Sequence, residues 1–271
     1  MAKNMADLHG HTAVVTGASS GIGLQFCHRL AERGCNLVMI SNEADALQSA
    51  ADNLSDRYGV TARSFCLDLT LPDVATQVEQ YLEANAPDAD IMINNAGIFS
   101  FQPLTEMTPG RTDCFIDLHV RAVTDLSRLM TLRWRQRGCR GWLLNMSSMS
   151  CWMPMPGLSM YAATKAYIRV LTRSLHYEMR DYGISVCVAC PGGIATDLFG
   201  LPPKLQRLAV RIGALDTPEA FTRKALRRLF AGRRQYINGL LNRISIVAVG
   251  LTPTPLRMLV KHRLLDRGIT R

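Results

Sequence analysis

The chain has 271 residues, of which 48% are hydrophobic and 20% are charged, so it can build one large core and does not resemble a disordered segment. Its formal net charge is +9, but residues 204–271 hold 15 of the 31 Lys and Arg and only 3 of the 22 Asp and Glu. The basic excess is confined to the C-terminal quarter, which argues against nucleic-acid binding by the whole domain.

Short apolar runs of the β type alternate along the chain with longer helical patterns. Strands are predicted at 12–16, 36–40, 62–67, 90–94, 141–146 and 184–189, and helices after the first strand to residue 33 and at 44–58, 72–84, 112–137 and 159–182. Such strands indicate a parallel sheet covered on both faces. We therefore predict an α/β fold, a single Rossmann-type doubly wound parallel sheet with helices on both faces. Residues 1–271 are expected to form one domain, with a basic amphipathic extension at about 239–271.

Targeting signals and metal-binding patterns are not evident in the sequence. The N-terminus lacks an apolar signal core and no run reads as a transmembrane helix, so we expect a cytoplasmic protein. Cys187 and Cys190 have C-x-x-C spacing, but side chains three apart on a strand point to opposite faces. No second pair completes a zinc site, and no metal is expected.

The first predicted strand runs directly into the glycine-rich stretch "TGASSGIG", residues 16–23. Gly17, Gly21 and Gly23 lie at a strand-to-helix turn, where backbone N–H groups approach a phosphate without interference from Cβ atoms. A tight turn alone would also explain these glycines. Their position after the first strand favours phosphate binding.

Tyr161 and Lys165 are four residues apart on a predicted helix and therefore lie on one face. A cation at about 4 Å, with an effective dielectric constant near 20, favours a phenolate by roughly 4 kcal/mol, or about 3 pKa units. We therefore expect Lys165 to bring the pKa of Tyr161 toward neutrality, where acid–base catalysis is efficient. The alternative is an amphipathic helix whose Tyr and Lys reach water.

Further motifs follow in order: "NNAG" at 94–97, "NMSS" at 145–148 and "PGGIAT" at 191–196. Together with T-G-x-x-x-G-x-G at 16–23 and Y-x-x-x-K at 161–165, they make the chain resemble the short-chain dehydrogenase/reductase family over about residues 10–200. The resemblance implies that Tyr161 transfers a proton while hydride moves to or from nicotinamide. It also implies that Lys165 holds the nicotinamide ribose and that Ser148 binds the substrate oxygen, with Ser147 and Ser150 as nearby alternatives.

The sequence departs from the family at His119, where relatives usually carry an asparagine that holds a water in a proton relay behind the lysine. Histidine can donate or accept a hydrogen bond and titrates near neutrality. His119 is therefore a candidate relay residue, and a purely structural role is the alternative.

In this family the end of the second strand distinguishes the cofactors, because an acidic residue there binds the ribose of NAD and a basic one the 2′-phosphate of NADP. Here Ser41 and Asn42 are uncharged, Ser20 stands where many NADP users carry a base, and Glu43 is expected to begin the next helix. The sequence narrowly favours NADP(H) over NAD(H), and Asp68 is expected beside the adenine. The expected cofactor contacts are Gly17, Ser19, Ser20, Gly21, Ile22, Gly23, Ser41, Asn42, Asp68, Leu69, Asn95, Ala96, Gly97, Tyr161, Lys165, Pro191, Gly192, Ile194 and Thr196.

Apolar residues near the active site predict a small hydrophobic substrate, such as a hydroxysteroid or a 3-oxoacyl compound. These residues are Met153, Met155, Leu158, Phe199 and Leu201, although core packing explains each one singly. The basic tail at 239–271 has three interpretations: contact with a second copy in a homo-oligomer, peripheral contact with an anionic membrane, or help in binding an anionic substrate.

The function that these observations favour is an NAD(P)-dependent oxidoreductase that interconverts a secondary alcohol and a ketone. Its expected catalytic residues are Ser148, Tyr161, Lys165 and, as a relay, His119. The alternative is a nicotinamide-nucleotide-binding sensor or scaffold that keeps the fold without catalysis. The complete Ser-Tyr-Lys set argues for the enzyme.

Overall fold

The seven strands of one parallel sheet organise the chain in a computed structural model, which describes residues 7–194 and 215–265. The sheet order is β3-β2-β1-β4-β5-β6-β7. The strands are β1 (Thr12–Thr16), β2 (Asn36–Ser41), β3 (Ala62–Cys66), β4 (Ile91–Asn94), β5 (Gly141–Met146), β6 (Ile184–Cys190) and β7 (Gln235–Ile237). The doubly wound parallel architecture predicted from the sequence is confirmed, and β7 was missed because it has only three residues.

Helices connect the strands and cover both faces of the sheet. They are α1 (Gly21–Ala31), α2 (Ala44–Tyr58), α3 (Val74–Asn85), α4 (Pro109–Ile116), α5 (Val123–Gln136), α6 (Ser159–Met179), α7 (Pro218–Phe230), α8 (Leu240–Gly250) and α9 (Thr254–Val260). A π-helical turn, Asp117–Ala122, joins α4 to α5, and a 3₁₀ turn, Arg180–Tyr182, follows α6. The first helix ends at Ala31 rather than at the predicted residue 33.

Side chains of each central strand alternate between two apolar layers. Val15 packs with Phe26 of α1 in one layer, whereas its neighbour Val14 packs with Met130 and Trp134 of α5 in the other. This is the alternation expected of a strand whose two faces are both buried. The indole N–H of Trp134 is also satisfied, since it donates to the carbonyl of Ala89 at 2.8 Å.

The strand order reverses between β1 and β4, because β2 lies on one side of β1 and β4 on the other. In doubly wound sheets this switch point leaves a crevice beyond the carboxyl ends of the strands. Asn94 pairs with Asn145 in the register of β4 and β5, so the two strands deliver polar side chains to the same edge. The candidate site begins there.

The C-terminal helices α8 and α9 follow β7. Among the described residues, no single helix is long and apolar enough to cross a membrane. Leu241–Gly250 and Thr254–Arg263 meet that test of length and composition only as a pair, and the pair is bent by 104°.

Candidate active site

A cleft of about 470 Å³ lies beyond the carboxyl ends of the strands at the switch point. Most of the cofactor contacts expected from the sequence line it: Gly17, Ser19, Ser20, Gly21, Ile22, Ser41, Asn42, Asp68, Leu69, Asn95, Ala96, Gly97, Tyr161, Lys165 and Pro191. The walls also include Glu43, Leu67, Thr70, Ile98, Cys114, Leu118, Met146 and Ser147, which were not among the expected contacts.

The glycine loop is shaped by positions where a side chain would not fit. Gly17 and Gly21 have φ angles of +61° and +56°, which L side chains rarely adopt. A Cβ atom at Gly23 would overlap the carbonyl oxygen of Gly17, so Gly23 allows α1 to approach the loop. Gly23 therefore supports the loop from behind and is not among the residues that line the cleft, and its role as a cofactor contact stays a prediction.

Polar groups after β4 hold this loop in place. The hydroxyl of Thr16 accepts hydrogen bonds from the backbone N–H groups of Asn95 and Ala96, each at 3.0 Å. The side-chain amide of Asn95 donates to the carbonyls of Thr16 at 3.1 Å and Gly17 at 3.2 Å. These bonds explain why the "NNAG" motif accompanies the glycine loop.

The observed loop fits the diphosphate and nicotinamide parts of a dinucleotide. Ser20 precedes α1 without making a side-chain cap, so the first N–H groups of the helix remain available to an anion. The close approach at Gly17, the hydroxyl of Ser19 and the ammonium of Lys165 line the same cleft. The chemistry of these groups is that of a phosphate and ribose site.

A carboxylate stands at the end of the cleft beside β2. The hydroxyl of Ser19 donates to Glu43 Oε2 at 2.6 Å and lies 3.0 Å from the hydroxyl of Ser41. The expectation that Glu43 favours the N-terminus of α2 is therefore incomplete, because its side chain makes no cap and turns to Ser19. Asp68 Oδ1 accepts from both the backbone and the hydroxyl of Thr70 at 2.9 Å.

Tyr161, near the start of α6, is buried with its ring packed edge-to-face on Phe99, the ring centroids being 5.0 Å apart. Burial raises the pKa of Tyr161, although a hydrogen bond with the Ser148 side chain acts in the opposite direction. The expectation that Lys165 lowers this pKa is wrong for this structure. The Lys165 nitrogen is 5.8 Å from the ring centroid, and loss of water around the phenol is the largest cause of the shift.

Lys165 lies one helical turn after Tyr161 and is only 5% exposed. Its ammonium donates to the carbonyl of Met146, at the end of β5, at 3.1 Å. Burial lowers the pKa of Lys165 to about 8, so the side chain is still mainly protonated at neutral pH. The structure therefore places Tyr161 and Lys165 on the wall of the same cleft, with the Lys165 side chain protonated.

The three candidate serines have different environments. Ser147 donates from its hydroxyl to the carbonyl of Lys165 at 2.6 Å, which anchors α6 to the end of β5. Ser148 instead begins the 3₁₀ helix Met149–Trp152 and hydrogen-bonds Tyr161, while its hydroxyl also accepts from the backbone of Ser150 at 3.2 Å. The structure thus separates a supporting serine from the one beside the phenol.

His119 lies in the π-helical turn and is fully buried behind Lys165. Its Nε2 accepts from the backbone N–H of Ile98 at 3.1 Å, and Nδ1 lies 3.0 Å from the hydroxyl of Thr164. An Nε2 that accepts must be unprotonated, so Nδ1 carries the hydrogen and donates to Thr164. Burial, helped by the positive charges of Lys165 and Arg111, holds the pKa of His119 well below its ordinary value.

His119 links two segments of the site, because its ring contacts the backbone after β4 and the side chain of Thr164 on α6. A Cβ atom at Gly97 would lie 2.9 Å from His119 Nε2 and 3.2 Å from Lys165 Nζ, so the histidine is close to the ammonium. Both ring nitrogens have protein partners, and a relay through His119 would require one of these bonds to break. The relay role stays a prediction.

Two other expected contacts lie away from the cleft wall. The N–H of Gly192 donates to the side chain of Asn238 at 2.7 Å, and Ile194 is buried in the core and bridges to Asp216. Thr196, Phe199 and Leu201 lie outside the described residues.

A pair of thiols near Ser148 was not anticipated from the sequence. Cys190 at the end of β6 lies near Cys151 of the 3₁₀ helix, and interaction with the Cys190 side chain is the largest cause that lowers the pKa of Cys151. The pair forms because β5 and β6 continue to hydrogen-bond beyond their ends, through the N–H of Met149 and the carbonyl of Pro191. Spacing within "CVAC" could not indicate a partner 39 positions away.

Comparisons with known proteins agree with this geometry. The model of the short chain dehydrogenase family matches residues 11–202. The chain is 30% identical over 217 residues to the very-long-chain 3-oxoacyl-CoA reductase of Rattus norvegicus, covering 79% of this chain and 66% of that protein. It is 31% identical over 191 residues to the 17-beta-hydroxysteroid dehydrogenase type 3 of Mus musculus, covering 70% and 62%. The chain thus spans about two thirds of the length of these curated relatives.

Solved structures share the fold over nearly the whole chain. A short-chain dehydrogenase from Sphingobium yanoikuyae in complex with NADPH superposes with a TM-score of 0.76 at 28% identity, covering 94% of this chain and 96% of that one.

Proposed function

The chain belongs to the short-chain dehydrogenase/reductase family, and from this premise we propose that Tyr161, Lys165 and Ser148 carry out its reaction. It is a nicotinamide-dependent oxidoreductase of alcohols and ketones. The observation that carries the residue assignment is that a buried phenol, Tyr161, and a buried ammonium, Lys165, line one cleft with the glycine loop, while the side chain of Ser148 interacts with the phenol. The bound nicotinamide supplies or accepts the hydride.

Tyr161 acts as the general acid when a ketone is reduced. Because burial raises its pKa, the phenol keeps its proton at neutral pH and can donate it to the carbonyl oxygen. Ser148 hydrogen-bonds this phenol and is placed to donate to the same oxygen. In the oxidation direction the phenol must first lose its proton, so the raised pKa favours reduction near neutral pH.

Lys165 supplies positive charge where negative charge develops. As Tyr161 gives up its proton, the phenolate that forms is stabilised by the ammonium, which the carbonyl of Met146 holds in place. Since the pKa of Lys165 is about 8, this stabilisation weakens as the pH rises above that value. The ammonium also lies on the cleft wall with Asn95 and Gly97, where it can bind the ribose hydroxyls.

The substrate is proposed to be small and hydrophobic, such as a hydroxysteroid or a 3-oxoacyl compound. The phenol is flanked by the aromatic ring of Phe99, and Met153 and Met155 follow the catalytic serine in half-buried positions. The names of the two relatives, an acyl-CoA reductase and a hydroxysteroid dehydrogenase, point to the same classes.

NADP(H) is proposed as the preferred cofactor. Positions 41 and 42 carry no acidic residue, and structures with NADPH bound are among the similar folds. Glu43 works against this preference, because its carboxylate lines the cleft and would repel a 2′-phosphate. Titration with NADPH and NADH tests the cofactor preference. The wild type should bind NADPH more tightly than NADH, and Glu43→Gln should increase the ratio of the two dissociation constants by about 5-fold. Tighter binding of NADH by the wild type would contradict the proposal.

Self-association is proposed to use the outward face of α6. Tyr167, Val170 and Tyr177 on this helix are exposed, and an apolar groove containing Leu132 and Leu171 runs between α5 and α6. Sedimentation equilibrium should give a homo-oligomer for the wild type and a smaller species for Val170→Asp. A monomeric wild type would exclude this assembly.

The reaction itself is tested by following NADPH and NADH oxidation with lipophilic ketones and with polyhydroxylated ones of similar size. We expect turnover of the lipophilic set. Ser148→Ala should lower kcat by about 10²-fold while the nucleotide dissociation constant stays within about 3-fold, and Ser147→Ala should instead lower stability. Nucleotide binding without turnover of any carbonyl compound would favour a sensor and overturn the assignment.

A further inference from the structure

The C-terminal helices turn apolar side chains outward, and we infer that they form a docking surface for an anionic membrane. The tail face is defined by six exposed side chains: Leu241, Ile244, Val247, Leu251, Leu256 and Leu259. Leu251 is 78% exposed and Leu241 67%, whereas a surface helix of a soluble protein normally turns its apolar stripe toward the core.

The residues of the tail face recur with a helical period. Leu241, Ile244, Val247 and Leu251 are three or four positions apart, so they form one continuous stripe along α8. The opposite side of the same helix carries Asn242, which is half-buried. Ile246 and Val249 are half-buried on that side too, so α8 is apolar on its inward side and also presents an apolar stripe to solvent, as a surface that binds a partner does.

The charge of this segment selects an anionic partner. Residues 239–265 contain four Lys and Arg and no Asp or Glu, and Arg243 and Arg263 are exposed beside the tail face. Two copies of such a segment would repel each other if they packed face to face. Anionic lipid headgroups complement the cations while the acyl chains accept the apolar side chains.

The dimensions of the two helices suit a position along the membrane surface. With a rise of 1.5 Å per residue, α8 is about 16 Å long and α9 about 10 Å, against about 30 Å for a hydrocarbon core. Their bend is held by Arg257, whose guanidinium donates to the carbonyls of Val249 at 3.3 Å and Gly250 at 3.2 Å. The last carbonyls of α8 are thereby satisfied without water.

The tail face lies next to the substrate end of the cleft. Helix α8 contacts the 3₁₀ helix Met149–Trp152 that Ser148 begins, and Asn242 packs so closely on Gly192 that a Cβ atom there would overlap its amide. Membrane docking would therefore bring the catalytic serine close to the lipid surface. This consequence for substrate access rests on the proposed function, whereas docking itself does not.

Flotation of the full-length protein with vesicles tests the inference. Vesicles of phosphatidylglycerol and phosphatidylcholine should bind the protein, pure phosphatidylcholine should bind it less, and 0.5 M NaCl should weaken binding several-fold. Ile244→Asp/Val247→Asp should lower the partition coefficient about 100-fold or more, since each lost side chain contributes on the order of tenfold. Leu71→Asp/Ile116→Asp, which changes two other exposed apolar residues and adds the same charge, should bind like the wild type.

Two outcomes would overturn the docking surface. One is failure of the wild type to float with anionic vesicles, and the other is equal binding by the Ile244→Asp/Val247→Asp variant. If that variant instead changes the oligomeric state while no form binds vesicles, a second copy covers the tail face. Turnover of a water-soluble ketone, measured in parallel without vesicles, reports on the proposed reaction separately.

Discussion

At the end of β1 the buried hydroxyl of Thr16 accepts two backbone hydrogen bonds, whereas along α8 Ile244 and Val247 are more than half exposed. The cleft thus buries polar groups and pairs them, while the tail exposes apolar groups to solvent. Buried polar atoms that are paired indicate preorganisation for a ligand, and exposed apolar side chains in a continuous stripe indicate a surface awaiting a partner. The contrast predicts how substitutions in the two regions will behave.

Large effects on both activity and stability are expected at Lys165, which serves activity at the expense of stability. Lys165→Met should lower kcat by about 10²–10³-fold, because the charge that stabilises the phenolate is lost. The lowered pKa of Lys165 means that the buried ammonium lowers the free energy of unfolding by roughly 3 kcal/mol. Lys165→Met removes this penalty but also loses the hydrogen bond to Met146, so the variant should be more stable than the wild type by about 1–3 kcal/mol. Steady-state kinetics and denaturant unfolding at pH 7.5 measure both.

The pH dependence of unfolding provides the control for Lys165. A lysine whose folded pKa is lowered destabilises the protein fully below about pH 8, and the penalty disappears as the pH rises toward the unfolded value of 10.5. The stability advantage of Lys165→Met should therefore shrink between pH 7.5 and pH 9.5. A constant difference would show that the ammonium is not desolvated as described.

The next largest effect tests whether the glycine loop leaves no room for a side chain at Gly23. Gly23→Ala places a Cβ atom against the carbonyl of Gly17 and should cost about 2–3 kcal/mol of unfolding free energy as well as nucleotide affinity. Gly110→Ala, at an open position near the start of α4, is the matched control and should be neutral or stabilising by about 0.5 kcal/mol. Thermal unfolding with and without nucleotide distinguishes them, and equal effects would rule out the close contact.

His119 should make the protein sensitive to acid. Because its folded pKa lies well below 6.5, the unfolded chain takes up a proton that the folded site refuses, and stability is lost as the pH falls below 6.5. The loss from this group should approach about 2 kcal/mol at pH 5. The free energy of unfolding of His119→Asn should therefore fall less between pH 7.5 and pH 5 than that of the wild type. Identical slopes in both proteins would mean that the histidine is protonated in the folded state.

The smallest effect is expected in the tail. Val247→Ser should change the free energy of unfolding by less than about 0.5 kcal/mol, because the side chain is already exposed. Leu226→Ala, on the buried face of α7, should cost about 2–5 kcal/mol. If denaturant titrations gave comparable losses in the free energy of unfolding for the two substitutions, Val247 would have to be packed in the folded protein. The contrast between the buried core and the exposed tail would then be wrong.

Sequence patterns located the features whose requirements are local. Gly17 needs a positive φ angle, and Tyr161 and Lys165 need one helical turn between them, so their spacing was sufficient. Features that depend on tertiary packing were missed. The thiol pair depends on the register of β5 and β6, and Glu43 reaches the cleft only because Ser19 holds its carboxylate.

The predicted direction of the pKa shift of Tyr161 is wrong for a related reason. Helical spacing alone places a lysine four residues away at about 4 Å from the phenol, in a partly aqueous medium. The chain instead buries both groups, and the ammonium turns to the carbonyl of Met146. Desolvation of the phenol depends on the residues that surround it, among them Phe99 and His119, and these come from distant parts of the chain.

The most direct measurement is the rate of ketone reduction by Tyr161→Phe, with the nucleotide dissociation constant measured on the same preparation. Removal of one hydroxyl should lower kcat by about 10³–10⁴-fold at pH 7 and leave nucleotide binding within about 3-fold. A variant that retains more than about a tenth of the wild-type kcat would show that another group donates the proton, and the assignment of the cleft would fail.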